Sequence, residues 1–178
     1  QGTAPDGTNT LNRIARTSTA ASQIIKSSIT KAASAIQYVV SYYVPQQTGV
    51  FLALRADNGA GTAFADVCFN LQTGAISTAA AATGFTLPSA FVETIGSFYR
   101  VSLTFTTTTA TTLRTILSPR SATGIVTDTD PTSSANALVW GQQLEAMQTG
   151  STVTTMVPTS YIKTAAATAS RVEDQLYL

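Results

Sequence analysis

Four side chains on neighbouring predicted strands have types that can act together on one surface. Because side chains alternate along a strand, Tyr43, Arg100, Gln143 and Glu145 are all expected on the outer side of a sheet. An aromatic ring can cover the apolar C–H face of a sugar, while an amide, a guanidinium and a carboxylate bond its hydroxyls. The sequence therefore predicts a candidate carbohydrate-binding surface made of these four residues.

The same four residues also allow a purely structural interpretation. Arg100 and Glu145 can form a cross-strand ion pair that Gln143 bridges, with Tyr43 at a subunit contact. An exposed pair of this kind contributes little stability. Both interpretations depend on the strand register, because a slip of one residue would move every one of these side chains to the opposite face.

Trp140, the only tryptophan of the chain, is expected in the core. Strand alternation groups Leu138, Trp140, Gln142 and Leu144 on one face, and the two leucines mark that face as the buried one. We therefore predict a packed indole whose N–H is bonded inside the protein, rather than an exposed platform for a sugar.

The residue types needed for catalysis are scarce. The chain contains no His, so the commonest general base and zinc ligand are missing. A glycosidase needs two opposed carboxylates. The acids lie mostly in predicted turns, as do Asp57, Asp128 and Asp130, or alone, as does Glu93. We therefore expect no enzyme activity and no cofactor.

Charge and hydrophobicity limit the partners. The formal net charge is +1 and only 11% of the residues are charged, so the sequence has no basic stripe that could neutralise phosphates. Its apolar residues are scattered, and no run approaches the length of a membrane-spanning helix. We expect neither a nucleic-acid partner nor membrane insertion.

The single cysteine, Cys68, lies between Val67 and Phe69, which predicts a small buried hydrophobe.

An excess of Thr, Val and Ile favours strands throughout. The stretch 14–35 could form an amphipathic helix, but its Thr, Ser and paired Ile residues favour a strand. We predict an all-β, antiparallel sandwich that forms one domain over 1–178. The expected strands are 11–16, 23–30, 36–44, 50–55, 64–70, 75–78, 98–106, 112–118, 137–145 and 170–176.

Short sequence motifs occur along nearly the whole chain. They are PDGT at 5–8, SYYV at 41–44, FNLQTG at 69–74, FYRVSL at 98–103, VWGQQLE at 139–145, MVPT at 156–159 and RVED at 171–174. In this order they resemble a family of phage and bacterial jelly-roll domains similar to carbohydrate-binding modules. The motif at 139–145 is the most specific, resembling the family's (V/I)-W-G-A-Q-L-E. The chain departs from the family at Pro45, which replaces a basic residue, and at Phe98, which replaces a Trp.

The resemblance implies a jelly-roll sandwich and a non-catalytic binding module on the surface of a phage particle. It implies a host glycan as ligand, contacts with other virion subunits, and a homo-oligomer. The alternative is a purely structural virion component, such as a capsid decoration or fibre domain, that makes subunit contacts only. Family members begin with a further strand before PDGT, so that strand is expected to be missing or supplied from upstream.

Related jelly rolls often hold a structural calcium near the chain ends, which would draw on Asp6, Glu173 or Asp174 together with backbone carbonyls. The sequence has no dense cluster of Asp and Asn. Turn caps and surface charges therefore account better for these acids.

Overall fold

The computed structural model describes residues 2–21, 24–146 and 158–161. These residues form ten strands: β1 (Asn12–Ala15), β2 (Ile24–Thr30), β3 (Ile36–Pro45), β4 (Phe51–Asp57), β5 (Phe64–Asn70), β6 (Ile76–Ala81), β7 (Phe85–Ile95), β8 (Phe98–Thr107), β9 (Thr112–Arg120) and β10 (Asn136–Ala146). The described part of the chain contains no helix, and so none that is long and apolar enough to span a membrane.

The strands form two five-stranded sheets. We call the sheet with strand order β1-β10-β3-β8-β7 the front sheet and the sheet with order β2-β9-β4-β5-β6 the back sheet. Every strand pair is antiparallel. The predicted all-β, antiparallel sandwich is therefore confirmed.

The core lies between the two sheets and follows the alternation of the strands. In β3, Val40, Tyr42 and Val44 point inward, and in β8, Val101 and Leu103 do the same. All five are at most 1% exposed. Burying such side chains supplies the main stabilisation of a sandwich that has no disulfide. Tyr43 and Arg100, which the sequence placed on the outer side, alternate with these inward residues, as predicted.

Most of the predicted strands match observed ones to within three residues at each end. Within the stretch 14–35, the described residues include β2 and no helix, which confirms the preference for a strand. The prediction missed β7, an edge strand that contains Pro88 and a register shift between Thr86 and Ser89. The predicted strand 170–176 lies outside the described residues.

A loop over residues 121–135 covers the outer face of the back sheet. Val126 of this loop packs against Ala53 and Ile116. Beside Ala53 in the strand register lies Cys68, which is completely buried, as predicted. Burial raises the pKa of its thiol, although Gly124 of the loop offers it a hydrogen bond that acts in the opposite direction.

Two acids that the sequence placed in turns are in fact buried and paired. Asp57 is 0% exposed and accepts hydrogen bonds from Nε and Nη2 of Arg114 at 2.8 and 2.7 Å. Asp130 is 3% exposed and lies 3.8 Å from Nη2 of Arg120. The turn interpretation was incomplete because both partner arginines are on β9, and Arg114 lies 57 positions after Asp57. Asp128 does cap a turn, accepting from the Ile125 N–H.

Candidate functional site

The four residues of the predicted surface lie together on the outer face of the front sheet. In the strand register, Arg100 of β8 is opposite Tyr43 of β3, and Gln143 of β10 is opposite Ser41 of β3. Glu145 follows two residues after Gln143 and therefore shares its face. The structure thus brings the predicted residues together, and their contact with a sugar stays a prediction.

Arg100 is held by the protein itself. Its Nη2 donates to Oγ of Ser41 at 3.1 Å, and its Nη1 donates to the carbonyl of Pro158 at 3.4 Å. The guanidinium carbon is 5.3 Å from the centre of the Tyr43 ring, in a cation–π arrangement. Arg100 and Tyr43 are only 4% and 7% exposed. Within the described residues, Arg100 does not form the alternative ion pair with Glu145.

The segment 158–161 crosses this outer face and binds the other two predicted residues. The carboxylate of Glu145 accepts hydrogen bonds from the backbone N–H of Thr159 at 3.1 and 3.2 Å and from its hydroxyl at 2.6 Å. Nε2 of Gln143 donates to the same hydroxyl at 3.1 Å. The Glu145 carboxylate and Nε2 of Gln143, which the sequence assigned to a sugar, are therefore occupied by the chain's own segment, whereas Oε1 of Gln143 has no hydrogen-bond partner among the described residues.

Trp140 is not in the core, so its predicted placement is wrong. Val139 is buried between the sheets instead, whereas the indole is partly exposed on the outer side. Nε1 of Trp140 donates to Oγ1 of Thr10 at 2.9 Å. The indole centroid lies 5.4 Å from the Tyr43 ring and 4.5 Å from the Tyr161 ring. Three aromatic rings therefore form one cluster at the surface.

A β-bulge in β10 explains the wrong placement. The register with β3 shifts between Trp140 and Gln143, so the inward and outward faces exchange at this point. Gly141 lies in the bulge with φ of 63°, and a Cβ there would be 3.1 Å from Cδ2 of Tyr43. Only glycine fits such a position without strain. After the bulge, Gln142 and Leu144 do point inward, as predicted.

An open cleft adjoins Trp140 where the edges of the two sheets separate. The pairing of β1 with β10 stops at Asn12 and Val139, so β10 has no β1 partner beyond that point. The cleft has a volume of about 200 Å³. Its lining consists of Asn12, Lys26, Tyr42, Val139, Trp140, Gly141 and Gln142.

A hydrogen-bonded network forms the floor of the cleft. Nε2 of Gln142 donates to Oγ of Ser27 at 2.7 Å and to Oγ1 of Thr115 at 2.9 Å. The hydroxyl of Tyr42 lies 3.3 Å from the same Thr115 oxygen. Burial raises the pKa of Tyr42, so its hydroxyl keeps its proton. These bonds fix the orientation of the Gln142 side chain toward the cleft.

A second bulge lies on the opposite rim. The register of β2 with β9 shifts between Ile25 and Ser27, which makes Lys26 the extra residue. Lys26 is partly exposed and is the one charged residue of the lining. Both rims of the cleft therefore carry a bulge, a feature that is enriched where a strand redirects a side chain.

Among the described residues, no group of three or more His, Cys, Asp or Glu side chains could hold a metal ion. Asp6 accepts a hydrogen bond from the N–H of Thr8 at 3.0 Å, as a turn cap does. Glu173 and Asp174 lie outside the described residues.

A scan against protein-family models finds no match to this chain, and a search of curated proteins finds none either.

Proposed function

We propose that this chain is a non-catalytic carbohydrate-binding module of jelly-roll type, displayed on the surface of a phage particle, where it binds a host glycan. The observation that carries the proposal is Trp140: a partly exposed indole, held in place by Thr10, beside an open cleft with amide side chains. The phage assignment follows from the sequence resemblance.

The cleft has the chemistry that sugar recognition requires. An indole ring can cover the apolar C–H face of a pyranose, while amides bond hydroxyls as donors and acceptors. Asn12 supplies an amide beside Trp140, and Gln142, whose N–H donors bond Ser27 and Thr115, supplies its carbonyl oxygen as an acceptor. Because the indole is fixed by a hydrogen bond and two neighbouring rings, binding a sugar would cost little side-chain entropy.

The jelly-roll assignment is supported by the nesting of the strand pairs. β1 pairs with β10, β2 with β9 and β3 with β8, as in a long hairpin rolled around a core. Successive strands from β1 to β4 alternate between the two sheets. In this view, β6 and β7 are two additional strands, one at an edge of each sheet.

The absence of catalysis is proposed from the positions of the acids. The lining of the cleft contains no carboxylate, so it lacks the pair of acids that glycoside hydrolysis uses. Asp57, Asp66 and Asp130 are all buried in ion pairs with arginines. These acids stabilise the fold and do not face the cleft.

The outer-face residues Tyr43, Arg100, Gln143 and Glu145 remain a second candidate contact for sugar. A glycan would reach them only after segment 158–161 had left, because this segment holds the polar atoms of Gln143 and Glu145. The cleft needs no such displacement, and for that reason we place the primary contact at Trp140.

A structural role in the virion is the competing function, and exposed apolar side chains favour it. Phe91 on the edge strand β7 is 52% exposed, and Ile76 on the edge strand β6 is 46% exposed. Unpaired edges and exposed apolar side chains are typical of subunit contacts. Contacts with other virion subunits and a homo-oligomer are part of both proposals.

The test is a glycan array probed with the full 178-residue chain, followed by titration of each hit against tryptophan fluorescence. Trp140 is the only tryptophan, so a ligand in the cleft must change its emission. Phe91→Leu is the control, because it changes an exposed aromatic residue outside the cleft. A stable oligomer that binds no glycan would instead favour the structural role.

A further inference from the structure

We infer that the ligand of the cleft is an acidic saccharide, whose carboxylate is bound by Lys26. This inference rests on the proposed carbohydrate-binding function and names the class of glycan. Three observations support it: the positive charge of the cleft lining, the hydrogen bonds and ion pairs that occupy the other described cations, and the two bulges on the rims of the cleft.

Lys26 gives the cleft a positive charge that no lining residue offsets. Every other member of the lining is neutral, and Lys26 forms no ion pair or hydrogen bond with the described residues. A carboxylate that enters would therefore meet a cation without any competing acid. A hydrogen bond between charged groups is about twice as strong as one between neutral groups.

Other described cations differ from Lys26, because the protein already uses their donors. Nζ of Lys31 donates to the carbonyls of Ala32, Ser34 and Ala110 at 2.6, 3.2 and 2.8 Å. Arg55 and Arg114 are each paired with an aspartate. Because the protein uses the donors of these described cations internally, the free donors of Lys26 beside a cleft mark this lysine as a binding group.

The backbone is irregular on both rims of the cleft. The bulge at Lys26 and the bulge at Gly141 lie on opposite rims, one in each sheet. Each inserts a residue that breaks the regular alternation of its strand, and each places that residue in the lining. Two independent irregularities that meet at one cleft indicate a built site. They set the ammonium group on one side and the indole on the other.

The arrangement predicts how the saccharide lies. Its pyranose ring packs against the face of Trp140, its carboxylate bonds Lys26, and Asn12 bonds a hydroxyl. The side chain of Asn12 has no hydrogen-bond partner among the described residues, so both its donor and its acceptor are available. No covalent step is involved.

The test uses a matched pair of ligands: an oligosaccharide that contains glucuronic acid, and the same oligosaccharide after reduction of its carboxylates to alcohols. Trp140 fluorescence reports Kd for the full chain. We expect the reduced ligand to bind about tenfold more weakly, as one charged hydrogen bond implies. Lys26→Gln should weaken binding of the acidic ligand to the same extent, and Lys26→Arg should restore most of it.

Arg13→Gln is the control, because it removes one positive charge from an exposed position outside the cleft lining. This variant should leave Kd unchanged for the acidic ligand and for its reduced form. Equal binding of the two ligands, or an unchanged Kd in Lys26→Gln, would overturn the inference while leaving the carbohydrate-binding proposal intact. A preference for sulfated over carboxylated oligosaccharides would also overturn it. If no saccharide binds, acidic or neutral, the proposed function itself fails.

Discussion

The ring of Tyr161 lies 4.5 Å from the indole of Trp140, measured between centroids, at an interplanar angle of 48°. Two residues earlier, Thr159 is bound by Glu145. The segment 158–161 is therefore anchored at one end by a carboxylate and at the other by an aromatic cluster. Trp140 faces this cluster on one side and the cleft on the other, so it joins the two candidate surfaces.

Trp140→Ala is expected to abolish glycan retention at a modest cost in stability. Because the indole is partly exposed and contacts two rings, the loss in unfolding free energy should be about 1–2 kcal/mol. Phe105→Ala is the control in the core and should cost about 3–5 kcal/mol. Denaturant unfolding measures both. An equal cost for the two variants would contradict the surface placement of Trp140.

Thr159→Val is expected to loosen segment 158–161 without changing glycan binding. The variant removes a hydroxyl that bonds both Glu145 and Gln143, so it should cost about 1 kcal/mol of stability. Glycan retention is measured on the same preparation. Stronger retention would show that Tyr43, Arg100, Gln143 and Glu145 bind the sugar once the segment leaves.

Arg120→Ala is expected to destabilise the protein by about 3–5 kcal/mol, because it leaves Asp130 buried without its cation. The guanidinium also donates to four carbonyls of the 121–135 loop, namely those of Ala122, Ile125, Asp128 and Thr129. Arg13→Ala, at an exposed site, should change stability by no more than about 0.5 kcal/mol. Similar melting temperatures for the two variants would contradict this role for Arg120.

The buried carboxyl of Asp130 is expected to make the folded protein less stable in acid. Burial raises the pKa of Asp130, but hydrogen bonds from Ser121 and Thr132 and the charge of Arg120 outweigh burial, and the net pKa is below its usual value. A carboxyl with a lower pKa in the folded state stabilises the fold above its unfolded pKa, which is about 3.9. This contribution is lost as the pH falls through the folded pKa.

Melting temperatures measured between pH 6 and pH 2 check this prediction. Asp130→Asn should melt at a lower temperature at pH 6 and show a shallower decline below about pH 4, since it has no proton to gain. If the melting temperatures of the unmodified protein and of Asp130→Asn fell equally with pH, groups other than Asp130 would cause the acid sensitivity.

Cys68 is expected to react with a thiol reagent only when the covering loop opens. The thiol is fully buried, and burial raises its pKa, so little thiolate forms. Labelling kinetics in the native state should be slow and should accelerate in Arg120→Ala, whose loop has lost its anchor. Rapid labelling of the unmodified protein would contradict the burial of Cys68.

The alternation of apolar side chains was enough to predict β3 and β8, including their inward faces, because these central strands run without a bulge. It failed in β10. There, Gly141 inserts an extra residue, and the leucine at 138, which suggested a core face for Trp140, instead lies on the outer side. An isolated glycine in a strand is a signal for a bulge, and it could have prevented the error.

The cleft could not be predicted from the sequence. Lys26 lies in a stretch that has no special motif, and Asn12 is separated from Gln142 by most of the chain. Only the pairing of β1 with β10 and the two bulges bring these residues together. Likewise, the partners of Asp57 and Asp130 depend on the position of β9 and of its following loop. Long-range strand pairing determines these contacts, and single-strand patterns do not encode it.

The pairing of β1 with β10 also has a consequence for biosynthesis. A hydrogen bond joins Arg13 to Asn136, 123 positions apart, across the β1–β10 pair. Since β1 pairs with no other strand among the described residues, it is expected to stay unpaired on the ribosome until β10 has emerged. Folding that depends on such distant contacts is slow, and exposed strand edges favour aggregation meanwhile. The yield of folded protein should therefore depend strongly on chaperones and on temperature during expression.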